Sequence, residues 1–504
     1  MLSRLGFKLA ARSFTGARTF GAAKSKVYNS PSEAIADMKD GATVSMGGFG
    51  IVGIPENGVL SMVERGLKGI RIVSNVAGIP DWGIGLLLKG KQVIQMNASY
   101  VGENPLFEKQ YLTGQISLNL IPQGSLAEKC RLGASGIAAT YVKAGVGTYV
   151  QTGGFQVRLG KDGKSVVEVS RPREPREFDG RTYLMEEAIK VDYAMIKAYQ
   201  ADKYGNLRFR KTARNFNPDM CGGGITVVET EQIVDEIDPD KVHFPGCFVD
   251  RVYKSPKVSK KIERLRFRDV KPEGGKGKGK KGGAADKDRI RNKIASRAAK
   301  ELTDGMYCNL GIGIPVVVAN SLEGKVAVDL QGENGIVGMG PYPLKGQQDC
   351  DIINAGKEVI TEAIGHSHSR SSDAFGMMRG VHLHATMLGS LQVSETADIA
   401  NWIIPGQKVK GMGGAMDLVS CGSRVVVVME HVGPNNTPKF LRQCTIPLTG
   451  KGCVSMLITD LGVFEFTPEG PVLTEISSDT TVEEIKKLTQ AKFKVADKLK
   501  KMEA

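Results

Sequence analysis

The stretch best equipped for chemistry is Leu330-Gln331-Gly332-Glu333-Asn334-Gly335-Ile336-Val337-Gly338. A short apolar run, Val326-Ala327-Val328, precedes it and reads as a buried strand. Asn334-Gly335 predicts a sharp turn. Glu333 therefore falls at a strand exit, where ligand sites collect on α/β sheets. A carboxylate there can serve as a general base, a metal ligand or a nucleophile. No His or Cys cluster adjoins it in sequence, which weakens the metal reading. Local sequence alone equally allows a solvated acid in a tight turn.

Other residues with chemical potential are scattered along the chain. Gly47-Gly48-Phe49-Gly50-Ile51-Val52-Gly53-Ile54-Pro55 lies between a strand pattern, Ala42–Met46, and a helix pattern through Val59, Leu60, Met62 and Val63. Strand, glycine loop and helix make the layout of an anion-binding turn. Gly48-x-Gly50-x-x-Gly53 also matches the dinucleotide fingerprint, but the next strand, Ile70–Val73, ends in Ser74-Asn75 where an acid for the ribose is required. An NAD-dependent oxidoreductase is thus the weaker alternative of another class. Gln123 follows the extended run Ile116–Leu120, beside Pro122 and Gly124, and reads as a turn residue or a ligand group. A second glycine loop, Lys408-Val409-Lys410-Gly411-Met412-Gly413-Gly414-Ala415-Met416-Asp417, could aim backbone N–H groups at an oxyanion, or could be a tight turn. Two His-x-His pairs, His366/His368 and His382/His384, could each share a strand face, yet the spacing offers no third metal ligand, so hydrogen-bonding or surface roles are expected and no metal site.

The elements that must position these groups alternate. Besides those above, Gln92–Met96 reads as extended, Pro105–Tyr111 and Leu126–Leu132 as helical, Lys357–Ile360 as a strand, Arg424–Met429 as a buried strand, and Thr481–Leu499 as a closing helix. The rhythm predicts an α/β protein with mainly parallel sheets. The fold should begin at Ser30-Pro31-Ser32-Glu33, a capping box with Pro at the first helical position. At 504 residues the chain calls for more than one domain. Residues 269–283 are rich in Gly and Lys, can build no core and read as a flexible linker; their Lys-Lys end, with no apolar strand before it, does not fit a phosphate-binding loop. Asp286–Leu302 then opens a second domain as an amphipathic helix.

The formal charge of +14 would suggest nucleic acid, but it is concentrated in two places. Residues 1–26 carry Arg4, Lys8, Arg12, Arg18, Lys24 and Lys26 with no acid, the pattern of a mitochondrial transit peptide. The linker carries much of the rest, so neither nucleic acid nor membrane is an expected partner. The eight Cys form no Cys-x-x-Cys pair and read as free thiols of a reducing compartment.

The second domain echoes the first. Asp304-Gly305 leads to Gly311 and Pro315 as Asp40-Gly41 leads to Gly47 and Pro55, with seven residues from Asp to the loop glycine in both. This predicts an internal duplication, two similar sheets, and Asn75 and Glu333 at matching strand exits.

Asp40 to Pro55 resembles the first signature of the family I coenzyme A transferases, and Gln331-Gly332-Glu333-Asn334-Gly335 resembles their second. The resemblance spans about residues 27–500, in the form where two bacterial-type subunits are fused. It implies two related open, mainly parallel domains: 27–268 of the A type, a linker at 269–285, and 286–504 of the B type after a leader at 1–26. It implies that Glu333 is the catalytic nucleophile of ping-pong CoA transfer from succinyl-CoA to acetoacetate, a step of ketone-body use in the mitochondrial matrix. Acetate as acceptor is the alternative within the class. Gly414 and Ala415 would supply oxyanion N–H groups, and Asn75, Gln123, Asn309 and Lys357 would contact substrate. Acyl-CoA and small carboxylic acids are the implied partners, with coenzyme A as substrate, no other cofactor, and a homodimer as the assembly. One departure stands out: Gly332 occupies a position where the family usually has Ser.

Overall fold

The computed structural model describes residues 24–222, 224–268, 283–322 and 326–503. The leader assigned to 1–26, apart from its last three residues, and the glycine- and lysine-rich tract to residue 282 lie outside the described residues.

Each half is built on one large sheet. In the first, the strand order is Val27–Tyr28, Arg251–Lys254, Ile225–Val234, Tyr193–Asp202, Thr43–Met46, Ile70–Val73, Val93–Ala98 and Ser117–Leu120. All of these neighbours are parallel. In the second the order is Glu362–His368, Ile336–Met339, Asp329–Gln331, Tyr307–Leu310, Ala385–Gly389, Arg424–Val428, Met456–Ile458, Gly462–Thr467, Gly470–Ile476 and Lys494–Lys501. Its centre is parallel and antiparallel hairpins flank it. Val425 to Val428 are each at most 1% exposed, so the continuous apolar run marks a strand covered on both faces. No described helix is long and apolar enough to cross a membrane.

The repeat predicted from sequence has matching pieces in the two sheets. Thr43–Met46 pairs in parallel with Ile70–Val73, as Tyr307–Leu310 does with Asp329–Gln331. Asn75 and Glu333 both lie two residues past the second strand of their pair. The halves then diverge. After Asn75 the chain continues to the parallel strand Val93–Ala98, whereas after Glu333 it folds straight back into the antiparallel strand Ile336–Met339.

The glycine loop after Met46 is not an open anion site. A Cβ on Gly47 would lie 1.9 Å from Asn217 Oδ1, and one on Gly53 would lie 2.7 Å from Ala213 O. The glycines let the loop pack against residues 213–217. The helix Glu56–Glu64 does bind an anion at its first turn, but it is the protein's own: Asn57 and Gly58 N–H donate to Glu229 Oε2 at 2.8 and 3.1 Å. Tyr253, Ser255 and the Asn57 side chain also donate to Glu229, and Lys197 stands 3.6 Å away. A pyrophosphate has no place at a helix end already engaged in this way, which removes the structural basis for the NAD reading.

Local corrections follow from tertiary pairing. The strand before Glu333 is Asp329–Gln331, not Val326–Val328, because its ladder with Tyr307–Leu310 begins at Asp329. Lys357–Ile360 forms no strand; Lys357 takes φ +64° in a turn, and Glu358 and Val359 make only isolated bridges. His382 and His384 precede the strand Ala385–Gly389 and do not share a strand face. The closing helix stops at Leu488, and Lys494–Lys501 adds an edge strand parallel to Gly470–Ile476. Phe493 anchors that switch against Phe464, at 5.2 Å between ring centroids, and the lysines on the new edge discourage further strand addition. The helix at Pro31–Ala34 is capped by Ser30 as expected, although the returning Glu33 carboxylate accepts from Asn29 N–H instead of Ser30 N–H.

Because Glu229 is fully buried and serves five donor groups, removing it leaves the Tyr253 and Ser255 hydroxyls and the Asn57 and Gly58 N–H groups without this acceptor. Glu229→Ala should lower stability by about 3–5 kcal/mol, read from the urea midpoint at constant m-value.

Candidate active site

Glu333 sits at the tip of the hairpin joining Asp329–Gln331 to Ile336–Met339. Gly332 N–H donates to Ile336 O at 2.8 Å and Gly335 N–H to Gly332 O at 3.0 Å. Gly335 has φ +100°, and a Cβ there would fall 2.0 Å from Ser369 O, so this turn requires glycine. Asn334 turns inward and ties the tip to Ile353 O at 2.8 Å. Gly332 is also crowded: a Cβ would meet Met339 Cε at 2.6 Å and Asn334 Oδ1 at 2.7 Å.

The Glu333 carboxylate is met from the other half of the chain. Gln123, the first residue of the helix Gln123–Ser135, donates its side-chain amide to Glu333 Oε2 at 3.0 Å. The same helix end is stitched to the second glycine loop. Gln123 N–H donates to Gly413 O at 3.0 Å, and Gly124 N–H to Asp417 Oδ2 at 2.9 Å. Gly124 has no room for a Cβ, which would lie 2.3 Å from Asp417 Oδ1. On the far side of Glu333, a Cβ on Gly414 would fall 2.5 Å from Oε1, so bare backbone closes on the carboxylate. Gly414 N–H makes no hydrogen bond among the described residues, whereas Ala415 N–H donates to Met412 O at 3.0 Å.

Glu333 is half-buried and opens only onto a cleft of roughly 660 Å³. Burial pushes its pKa up to about 7, the negative charge of Asp417 adds to this, and the Gln123 amide opposes it. Asp417 is itself raised to about 6 by burial, with Arg379 pulling the other way. Two carboxyls of elevated pKa thus share one polar pocket.

Asn75, Gln123, Glu333, Lys357, Gly414 and Ala415 all line this cleft. Asn75 Oδ1 is buried with no hydrogen-bond partner, a polar atom free to meet a ligand. Lys357 places its Nζ 5.2 Å from the Tyr100 ring centroid and 3.4 Å from Glu263 Oε1. Asn309 is the exception. It lies behind the cleft, donating to Gln331 O at 3.1 Å and to Gln331 Oε1 at 2.9 Å, so it braces the end of the strand that leads to Glu333. Sequence reasoning missed Tyr100 and the cations Arg291 and Lys439 at the same cleft, and Glu263 beside Lys357; Lys408 and Lys410 stood at the head of the second glycine loop without an assigned role. Asp417 stood in the quoted glycine loop, but nothing in the chain order announces its bond to Gly124.

The family model for coenzyme A transferase matches residues 28–255 and 291–488. The mouse (Mus musculus) protein succinyl-CoA:3-ketoacid coenzyme A transferase 2A, mitochondrial, is 49% identical over 481 residues, 94% of this chain and 91% of that one. One of the separate subunits of the probable succinyl-CoA:3-ketoacid coenzyme A transferase of Bacillus subtilis is 50% identical over 206 residues, 41% of this chain and 95% of its own length. Among solved structures, an acyl-CoA transferase from E. coli O157:H7, in a thioester complex with CoA, superposes with a TM-score of 0.74 at 20% identity, covering 95% of each chain, which establishes the shared fold. With both halves matched and near-full-length identity of this order, the chain belongs to the coenzyme A transferase family.

Proposed function

We propose that the protein transfers CoA from succinyl-CoA to acetoacetate through a thioester on Glu333, as a succinyl-CoA:3-ketoacid coenzyme A transferase of the mitochondrial matrix. The observation that carries the reading is the Glu333 carboxylate itself: it opens onto the cleft, held by the Gln123 amide at 3.0 Å and flanked by the bare backbone of Gly414. The names of the relatives support the substrates and the compartment. Residues 1–26 would be the import leader, 27–268 and 286–504 the two catalytic domains joined by 269–285, and the working unit a homodimer.

In the reaction, one Glu333 oxygen attacks the thioester carbonyl of succinyl-CoA. The resulting tetrahedral centre collapses with loss of the CoA thiolate, leaving a succinyl–glutamyl anhydride. The thiolate then attacks the glutamyl carbonyl, forming the enzyme thioester and releasing succinate, which carries away the Glu333 oxygen. Acetoacetate reverses both steps and leaves as acetoacetyl-CoA. A carboxylate is a weak nucleophile, and partial desolvation raises its basicity. Gly414 N–H and the Asn75 side chain are the groups placed to meet oxygen charge, an effect of about 3–4 kcal/mol per donor in well-formed oxyanion sites. Arg291, Lys408, Lys410 and Lys439 suit the phosphates of CoA, whose remote binding energy can be used at the reacting bond. The surrounding pocket must keep water from the anhydride and the thioester.

The direct test is to mix the protein with acetoacetyl-CoA without acceptor, digest with trypsin and examine the peptide Val326–Lys345. It holds no Cys, and its only acidic side chains are Asp329 and Glu333. A CoA adduct on Glu333 that vanishes on adding succinate is expected; transfer proceeding with that peptide unlabelled would overturn the mechanism. The relative kcat/KM for acetoacetate and acetate decides the acceptor.

Three kinetic outcomes follow from the geometry. Because burial raises the Glu333 pKa to about 7 and attack needs the ionised form, kcat/KM should fall tenfold per pH unit on the acid side of about 7. Gln123→Ala removes a bond to the charged form, so this limb should move to higher pH. In Gly414→Ala the new methyl lands on the carboxylate, and kcat should drop by about 100-fold while the protein stays folded by circular dichroism.

A further inference from the structure

His366 and His368 lack a third ligand at metal-binding spacing in the sequence, but the fold brings one to them. Both lie on Glu362–His368, the edge strand of the second sheet, paired with Ile336–Met339. The register slips between Val337 and Met339, and Gly365 takes φ +82° in the bulge. The bulge gathers Glu362, His366 and His368 so that one donor atom from each lies within 4.8 Å of the others. Glu362 Oε1 is 2.8 Å from His368 Nε2 and 3.4 Å from His366 Nε2.

The orientation of His366 is informative. Its Nδ1 is 2.8 Å from Ala363 O, and a carbonyl only accepts, so Nδ1 bears the proton. In the neutral ring Nε2 then presents a lone pair toward a carboxylate oxygen, two acceptors facing one another. Their 3.4 Å separation is close to the edge of about 3.3 Å between ligands on a tetrahedral ion with bonds of 2.0–2.1 Å. A backbone carbonyl on the far ring nitrogen is also the usual way a metal-binding imidazole is aimed. Lys211 Nζ contacts the other carboxylate oxygen, Oε2, at 2.8 Å and Asp349 Oδ2 at 3.2 Å. It leaves Oε1 to the two imidazoles, though its charge must weaken cation binding.

We propose that Glu362, His366 and His368 form a binding site for one divalent transition-metal ion of the zinc class. Two imidazole nitrogens and one carboxylate oxygen favour such an ion over magnesium or calcium. The His366 side chain is 37% exposed, so the ion can enter from solvent. The site lies outside the substrate cleft and has no part in the CoA-transfer steps. It is nevertheless one strand from the nucleophile's hairpin: His368 pairs with Ile336, and Ser369 N–H donates to Gly335 O at 2.8 Å. A bound ion would brace the sheet edge behind Glu333.

The test is calorimetric titration of the full chain, stripped with EDTA, with ZnCl2. One ion per chain is expected, with affinity at least tenfold weaker in His366→Ala and in Glu362→Gln, and no saturable binding in His366→Ala/His368→Ala. CoA-transfer activity of each metal-free variant, unchanged from the parent, confirms that the variants fold. Co2+ bound in place of Zn2+ should show no thiolate charge-transfer band. No saturable binding by the parent protein, undiminished binding by the double variant, or a thiolate band pointing to residues such as the exposed Cys247 would each overturn the proposal.

Discussion

Hydrogen bonds from backbone N–H groups across the boundary between the halves hold the cleft together, and two of them start at the helix beside Glu333. Gln123 and Gly124 begin a helix of the first half, and their N–H groups have no partners within that helix. Gly413 O and the Asp417 carboxylate, from the second half, take them. This one junction sets where the Gln123 amide stands relative to Glu333 and where the backbone of Gly413 and Gly414 runs. Asp417 has to be buried to reach Gly124, and its negative charge then bears on Glu333. Joining the halves and tuning the Glu333 carboxylate are thus one physical arrangement. Arg379 reinforces it by bonding Glu128, on the Gln123 helix, while facing Asp417 at 4.0 Å.

The cost of that arrangement falls on the carboxylate. A Glu333 in water would ionise fully at neutral pH but would be a feeble nucleophile. In the cleft, burial and Asp417 push its pKa up to about 7, so its basicity is higher while an ionised fraction remains at neutrality. The Gln123 amide keeps the shift from going further, because a group that was almost always protonated could not attack. Desolvation and a single hydrogen bond work against each other, and the reactive state lies between them.

What could be read from the chain were features whose cause is local. The alternation of apolar runs and glycine turns placed the strands Thr43–Met46 and Ile70–Val73 and the helix Pro105–Leu112, and the spacing from Asp to glycine exposed the repeat. The place of Glu333 just past a strand was legible because a turn-forming Asn-Gly follows it directly, whereas its proposed role came from the family resemblance. What failed depended on partners distant in sequence. Lys357 looks like the start of a strand, yet bonding between residues 354 and 358 holds it in a turn. Lys494–Lys501 has helical composition, and an available sheet edge with Phe464 beside Phe493 overrode that preference. The glycines near residue 50 resembled a ligand cradle because sequence cannot distinguish a loop that approaches a phosphate from one that approaches Asn217. Glu362 became a neighbour of His368 only through a bulge, which leaves no mark in residue spacing.

The duplication also explains why the site is asymmetric. Asn75 and Glu333 stand at equivalent strand exits and face one cleft, yet only one is charged. Like charges in a shared, poorly solvated site raise each other's pKa. With Asp417 already buried there and Glu263 close to Lys357, a further acid at position 75 would drive Glu333 toward its protonated, unreactive form. An amide avoids this. It adds no charge, and its side chain can donate to developing negative charge or accept from a substrate. The first half accordingly brings the amides Asn75 and Gln123, and the second brings the Glu333 carboxylate. In the proposed reaction one half supplies amides to meet oxygen atoms and the other supplies the carboxylate that attacks.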